Sequence, residues 1–196
     1  MRFTTRVDGD FADRSRFDST TTWLRQVHGA TVVEVTEPGE HRGAEADAAF
    51  TTRPGCVLAV RTADCVPVVL IGDGAIGVVH AGWRGLAGGV IEATVAAMGG
   101  ASEAHVGPHI RQGCYEFGTG DLDTVAAALG DRVRGETTWG TPALDLTAGV
   151  RAALGRSELH GTALHDAGAC TACSDVYFSW RARKEHERFA TIVWLE

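Results

Sequence analysis

Residues 66–71 (VPVVLI) carry no polar side chain, and Gly72-Asp73-Gly74 turns this run directly into a second one, residues 75–80 (AIGVVH). A strand that is apolar at every position is buried on both faces rather than one. A tight glycine-bounded turn joins strands that run antiparallel. The pair predicts a hairpin that the rest of the chain has to cover from two sides. Pro67 has no backbone N–H to donate, so it predicts that the first of these strands starts at a sheet edge or a bulge.

Shorter β-branched or apolar runs predict strands at 31–35, 46–51 and 56–61, with turns at Pro38-Gly39 and Pro54-Gly55. Leu86, Val90, Ile91, Val95 and Met98 recur at helical spacing, which predicts a helix over 86–98 closed by Gly99-Gly100. Two more helices are expected at 121–129 and 146–154. Short strands are expected at 104–106, 163–166, 177–179 and 191–195. The first thirty residues are polar and weakly patterned. Strands and helices mix without strict alternation, and neither a repeat nor a linker interrupts them. The expectation is one α+β domain over residues 1–196, built on a mixed sheet.

Composition removes several functions. The net charge is −7 and the 18 basic residues are scattered, so no basic stripe exists for a phosphate backbone and nucleic acid is not an expected partner. No apolar run approaches the roughly 18–20 residues of a membrane span. The first ten residues, MRFTTRVDGD, lack a basic segment followed by an apolar core, so a cytoplasmic location is expected. Five cysteines in such a chain point to free thiols or metal ligands before disulfides. Nothing in the sequence signals an oligomeric state.

Three segments concentrate chemistry: Gln26-Val27-His28-Gly29, Thr62-Ala63-Asp64-Cys65 and His80-Ala81-Gly82-Trp83-Arg84-Gly85. Each sets a histidine or cysteine where a predicted strand meets a loop, the place where scaffolds present functional groups. His28, Cys65 and His80 stand 37 and 15 positions apart. No local spacing rule joins residues so distant. Taken singly, a cysteine is a small hydrophobe and a histidine a satisfied polar group.

These blocks, with GPHIRQGCYEFG at 107–118, LDL at 144–146 and CTACSDVYFSWR at 170–181, follow one another in an order that resembles the laccase-domain family, whose members include YfiH-type and YlmD-type proteins. The resemblance implies a YfiH-like fold, with helical layers around a mixed sheet (α/β/α). It implies one zinc ion on His28, Cys65 and His80, three ligands with a fourth position open, as in catalytic sites. It also implies phosphorolysis of purine nucleosides (adenosine, inosine or methylthioadenosine) with inorganic phosphate, and deamination of adenosine. A copper-dependent polyphenol oxidase is the weaker alternative. Among eight histidines there is no His-x-His pair, and Met1 and Met98 offer no evident axial ligand. Two further alternatives are a metal-free hydrolase with Cys65 as nucleophile and His80 as base, acting on peptidoglycan precursors, and a metal-stabilised binding module.

Roles for the remaining motif residues stay open at this point. Arg84, beside a predicted helix start, is a candidate anion or ribose site, or a structural arginine paired with a carboxylate. Asp64 is a candidate general acid or base, or a turn cap. Gln26 is a candidate contact to a base edge or to the metal's solvent ligand. Trp83 either stacks on a purine or packs. Cys170 and Cys173 form a CxxC, half a zinc site or a redox pair, and with no second CxxC no metal is expected there. Two departures from the family pattern bear on the pocket wall. A serine–leucine–asparagine–leucine block ahead of QVHG is absent, and Ala182 stands where many relatives have a second arginine.

Overall fold

The predicted hairpin lies at the centre of the molecule. In the computed structural model, which describes residues 1–157 and 162–196, the early strands are β1 (Arg2–Phe3), β2 (Thr21–Trp23), β3 (Val32–Glu34), β4 (Ala48–Thr51) and β5 (Val57–Thr62). The hairpin is β6 (Val66–Gly72) and β7 (Ala75–Ala81), followed by helices α1 (Trp83–Ala87) and α2 (Val90–Met98). Next come β8 (Glu103–Val106), α3 (Thr119–Leu129), the small hairpin β9 (Arg134–Glu136) and β10 (Pro142–Leu144), and α4 (Leu146–Arg156). The described chain closes with β11 (Ala163–Asp166), α5 (Trp180–Arg183) and β12 (Phe189–Trp194).

Six strands form a mixed sheet in the order β11-β8-β6-β7-β4-β3, with β6 and β7 at its middle. A second sheet, β1-β12-β5-β2, is also mixed, since β2 runs parallel to β5 and the other pairs are antiparallel. The period-2 alternation of β6 explains how both faces are buried. Val66, Val68 and Leu70 pack with Leu86, Ile91, Val95 and Val150 of the helices. Val69 and Ile71 point the other way, onto Leu58, Val60 and Val193 of the second sheet. The layers therefore run helices, six-stranded sheet, four-stranded sheet, and the cover opposite the helices is itself a sheet. Leu70 is wholly buried, and its truncation to alanine would cost about 2–5 kcal/mol.

Three local expectations are corrected. Pro67 sits in a central strand, not at an edge. It lies where β8 ends, so its carbonyl accepts from Gly107 N–H while no ladder bond is asked of its own nitrogen. The helix expected over 86–98 is two helices, because Gly89 adopts φ +83°, a left-handed conformation that glycine tolerates and that breaks the helical ladder. Residues 177–179 form no strand: the Tyr177 carbonyl accepts from the side chains of Arg6 and Arg183, and Ser179 caps α5. The weakly patterned N-terminus supplies two strands, and its Phe11 and Phe17 pack with Ala59 and Ala190. Among the described residues no helix is long and apolar enough to cross a membrane.

Candidate metal centre

His28, Cys65 and His80 come from three different places in the fold. His28 sits in the turn after β2, in left-handed backbone at φ +61°. Cys65 lies in the short link between β5 and β6, where the chain passes from one sheet to the other, preceded by Asp64 at φ +93°. His80 is the penultimate residue of β7. One ligand atom from each lies within 4.8 Å of the others, and Cys65 Sγ is 3.8 Å from His28 Nε2. Two donors on one tetrahedral zinc would be roughly 3.5 Å apart from the usual Zn–S and Zn–N lengths, so little adjustment is needed.

Asp47 organises the set. The motifs did not point to this residue. Its carboxylate is fully buried, and Oδ1 accepts from His28 N–H (2.9 Å) and from His80 Nδ1 (2.8 Å). Its Oδ2 accepts from Gly29 N–H (2.7 Å) and Val27 N–H (3.2 Å). Burial pushes this carboxyl group up, but His80 and the backbone donors outweigh it and hold it below the ordinary range. The bond to Nδ1 leaves His80 Nε2 as the free ligand atom, the arrangement that metal-binding histidines ordinarily use. A lone aspartate inside the apolar run 46–50 was the available sequence signal.

Burial pushes the Cys65 thiol up, yet the two imidazoles beside it, His80 above all, pull it well below its usual value. His80 is raised in turn by Cys65 and Asp47 against the effect of its own burial. The pair thus favours thiolate beside imidazolium. Zinc in the same position would play the role of the imidazolium proton. The surrounding backbone fits such a group: a Cβ added at Gly82 would lie 2.6 Å from His28 Cδ2 and 3.4 Å from Cys65 Sγ. A Cβ at Gly85 would lie 2.9 Å from the Gly29 carbonyl. Those two glycines let the HAGWRG loop close over the QVHG turn.

A cleft of about 600 Å³ opens over the side chains of His28, Cys65 and His80. Trp83 lines it, edge-on to Phe117 at 5.5 Å, with the Arg84 guanidinium 4.3 Å above its ring. Arg84 is exposed and, among the described residues, makes no ion pair, so the carboxylate-paired alternative is not what the fold uses. Gln26, a candidate contact to a base edge or to the metal's solvent ligand, is committed to the backbone of β5: its Nε2 donates to the Arg61 carbonyl (2.7 Å) and its Oε1 accepts from Arg61 N–H (3.0 Å). Asp64 is likewise committed. Its carboxylate accepts from Thr171 Oγ1 and Ser179 Oγ (both 2.7 Å) and from Arg181 N–H (2.6 Å), which ties the C-terminal segment to Cys65.

The cleft also holds Arg61 and Arg188, which lie outside the motifs, and Tyr115, Trp180 and Arg181, which lie in the 107–118 and 170–181 blocks but had no role assigned. Burial, with Arg14 and Arg188 nearby, lowers Arg61 to about 10. Burial and the Cys65 charge push the Tyr115 hydroxyl up, so it remains a proton carrier at neutral pH. These residues are distributed over β5, the segment after β8 and the C-terminal segment, and no local pattern unites them. Cys170 and Cys173 stand apart from this site, next to Cys114.

Residues 8–196 match the family model described as multi-copper polyphenol oxidoreductase laccase. A purine nucleoside phosphorylase of Streptomyces coelicolor is 41% identical over 183 residues, spanning 89% of this chain and 74% of that protein. One of Xylella fastidiosa is 42% identical over 189 residues, spanning 88% and 71%. Among solved structures, the hypothetical protein YfiH of Bacillus licheniformis superimposes with a TM-score of 0.82 at 25% identity, over 94% of this chain and 78% of that one. YlmD from Geobacillus stearothermophilus gives 0.81 at 28% identity, over 90% and 73%. The likeness bears out the expected YfiH-like mixed α/β fold, with a second sheet where the α/β/α reading placed another helical layer.

Proposed function

Since this chain belongs to the multi-copper polyphenol oxidoreductase laccase family, we propose that it is a zinc-dependent purine nucleoside phosphorylase that also deaminates adenosine. The observation that carries the reading is the His28–Cys65–His80 donor set at the floor of a cleft lined by arginines and aromatic side chains. The names of the relatives from Streptomyces and Xylella support the phosphorylase part. A volume of about 600 Å³ suits a nucleoside with phosphate.

Zinc supplies Lewis acidity when bound there. The donor set of two imidazoles and one thiolate suits zinc, and copper lacks an axial sulfur: Met98 packs beside Gly77, further along β7, and Met1 is at the exposed N-terminus. In phosphorolysis a phosphate oxygen bonds to the ribose anomeric carbon, and the purine leaves with the electron pair of the glycosidic bond and takes up a proton. Arg84 is assigned to the phosphate, which a guanidinium fork can hold bidentately. Trp83 and Tyr115 form aromatic walls for the base. Asp64 and Gln26 hold Cys65 and the His28 turn in register.

The test incubates adenosine with the purified chain at several phosphate concentrations while ribose 1-phosphate and inosine are followed separately, alongside elemental analysis. About one zinc per chain is expected, in keeping with one three-ligand site, with phosphate-dependent ribose 1-phosphate and phosphate-independent inosine. Zinc-free protein that retains full activity would refute the reading.

One observation favours a second reading. Asp47, His80 and Cys65 are ordered as orienting acid, base and nucleophile, the arrangement of a cysteine hydrolase. The two readings part on chelation. Removing zinc should abolish activity if Cys65 is a ligand, and adding it back should restore it. If Cys65 is a nucleophile, an alkylating reagent blocks turnover, a chelator does not, and mass spectrometry traps a covalent adduct.

A further inference from the structure

Cys114, Cys170 and Cys173 take no part in the site above, yet their sulfurs fall within 4.8 Å of one another. Cys114 closes the short turn Gln112–Cys114. The other two come from the CxxC loop, more than fifty residues further along the chain. Cys114 Sγ and Cys173 Sγ are 2.8 Å apart, and none of the three is in a disulfide.

The loop that carries the pair is firmly held. The Arg183 guanidinium donates to the carbonyls of Thr171 (3.2 Å), Ala172 (3.1 Å) and Tyr177 (2.7 Å), so the loop is wrapped around a half-buried fork. The Arg111 backbone N–H donates to Cys170 Sγ at 3.4 Å. An N–H aimed at sulfur favours the ionised form, the form that binds metals. The Arg111 side chain is fixed in turn by its ion pair with Asp166 and a bond to Thr147 Oγ1. A second cavity, bordered by Cys114, Trp139 and Ala172, gives the cluster access to solvent.

We propose that Cys114, Cys170 and Cys173 form a second metal centre, which holds one thiophilic d10 cation, zinc(II) or copper(I), through three thiolates. Soft sulfur donors select these ions over magnesium, calcium or manganese. Three ionised sulfurs this close repel one another, and a cation among them removes the repulsion as the thiol protons leave to solvent. Copper(I) is satisfied by three sulfurs, and zinc would add one water from the cavity. A disulfide would use two of the sulfurs and leave the third without a role. The sequence argued against a metal at the CxxC for want of a second such pair. The fold supplies the missing thiol from Cys114, in the segment that also carries Tyr115 into the main cleft.

The experiment uses the full chain carrying Cys65→Ser, so that the first site contributes no thiolate. Cadmium is titrated in under reducing conditions and followed by its thiolate charge-transfer absorption. Zinc and copper(I) then compete for the site, and displacement of cadmium by at least one of them is expected of a site built for thiophilic d10 ions. The expected result is a band that saturates at about one cation per chain and is lost when Cys170→Ser is added. In the wild-type chain, bound cation should also shield all three cysteines from iodoacetamide, as mapped by mass spectrometry. That second measurement does not depend on any variant folding. The proposal is overturned if the band is absent, if it survives Cys170→Ser, or if the cation leaves alkylation of the three cysteines unchanged. A Cys114–Cys173 disulfide that persists in place of metal binding under the same conditions also overturns it.

Discussion

Asp47→Asn is the most informative single substitution, because it keeps the shape of a side chain whose value lies in accepting four hydrogen bonds. An amide has one oxygen and one NH₂. With the NH₂ in place of Oδ1, it faces two donors, His28 N–H and His80 Nδ1; in place of Oδ2, it faces Val27 N–H and Gly29 N–H. Either orientation loses two bonds to a charged acceptor, each worth about 1.5–3 kcal/mol, for a loss of roughly 3–6 kcal/mol. Set against a total stability of about 5–15 kcal/mol, that is a large share. At about 2–4 °C per kcal/mol for a chain of this size, the melting temperature should fall by about 6–24 °C. Zinc affinity should weaken about 10- to 100-fold, the usual effect of removing a partner that orients a ligating histidine. Urea unfolding of the metal-free chain gives the first quantity, and competition with a chromophoric chelator gives the second. An asparagine variant within about 0.5 kcal/mol of wild type, binding zinc with unchanged affinity, would refute the reasoning.

Three other outcomes follow from the same geometry. Gly82→Ala puts a methyl group 2.6 Å from His28 Cδ2, so it should displace that ligand and sharply lower zinc affinity while far-ultraviolet circular dichroism stays native; unchanged affinity would mean that the loop yields freely. Arg84→Ala removes a charge-assisted contact of about 1.5–3 kcal/mol, a loss of roughly 10- to 150-fold in phosphorolysis, with deamination reduced much less; equal loss of both products, with phosphate dependence unchanged, would place Arg84 on the nucleoside. Burial lowers His109 from 6.5 to about 4, and its Nδ1 donates to the Gly107 carbonyl. The unfolded chain therefore takes up a proton first as the pH falls, so stability should be full above about 6.5 and decline towards 4. His109→Gln should flatten that limb of the stability–pH curve, and an unchanged slope would exclude His109 as its source.

What was legible in advance follows the range of the interactions involved. The β6–β7 hairpin, α3 and α4 are specified by neighbours a few residues apart, and their periodicity placed them within two residues or so at each end. The break between α1 and α2 was missed because Leu86 and Val90 keep helical spacing across the glycines, and periodicity does not register a left-handed Gly89. Gln26 and Asp64 were conspicuous as polar residues beside the ligands, but their partners, Arg61 and the segment 171–181, lie far along the chain. Asp47 stayed hidden for the opposite reason: in sequence it is one acidic residue in an apolar strand, and only the closed sheet gives it four donors. Cys114 was invisible as a companion of Cys170 and Cys173 until β8 and β11 paired and carried the two segments together.

The left-handed backbone at His28 and Asp64 has a consequence for how such a protein can change over time. Neither residue is glycine, and a side chain held at positive φ carries strain of about 1–3 kcal/mol. Selection for heat resistance alone would favour glycine at position 28, where it relieves that strain, but not at 64, where the three hydrogen bonds of the buried carboxylate outweigh it. Yet glycine at 28 deletes a candidate metal ligand, and glycine at 64 releases the anchor beside Cys65. Thermal robustness and reactivity therefore pull against each other at position 28 but not at 64, and a lineage adapting to heat would have to find its stability elsewhere than in the His28 turn.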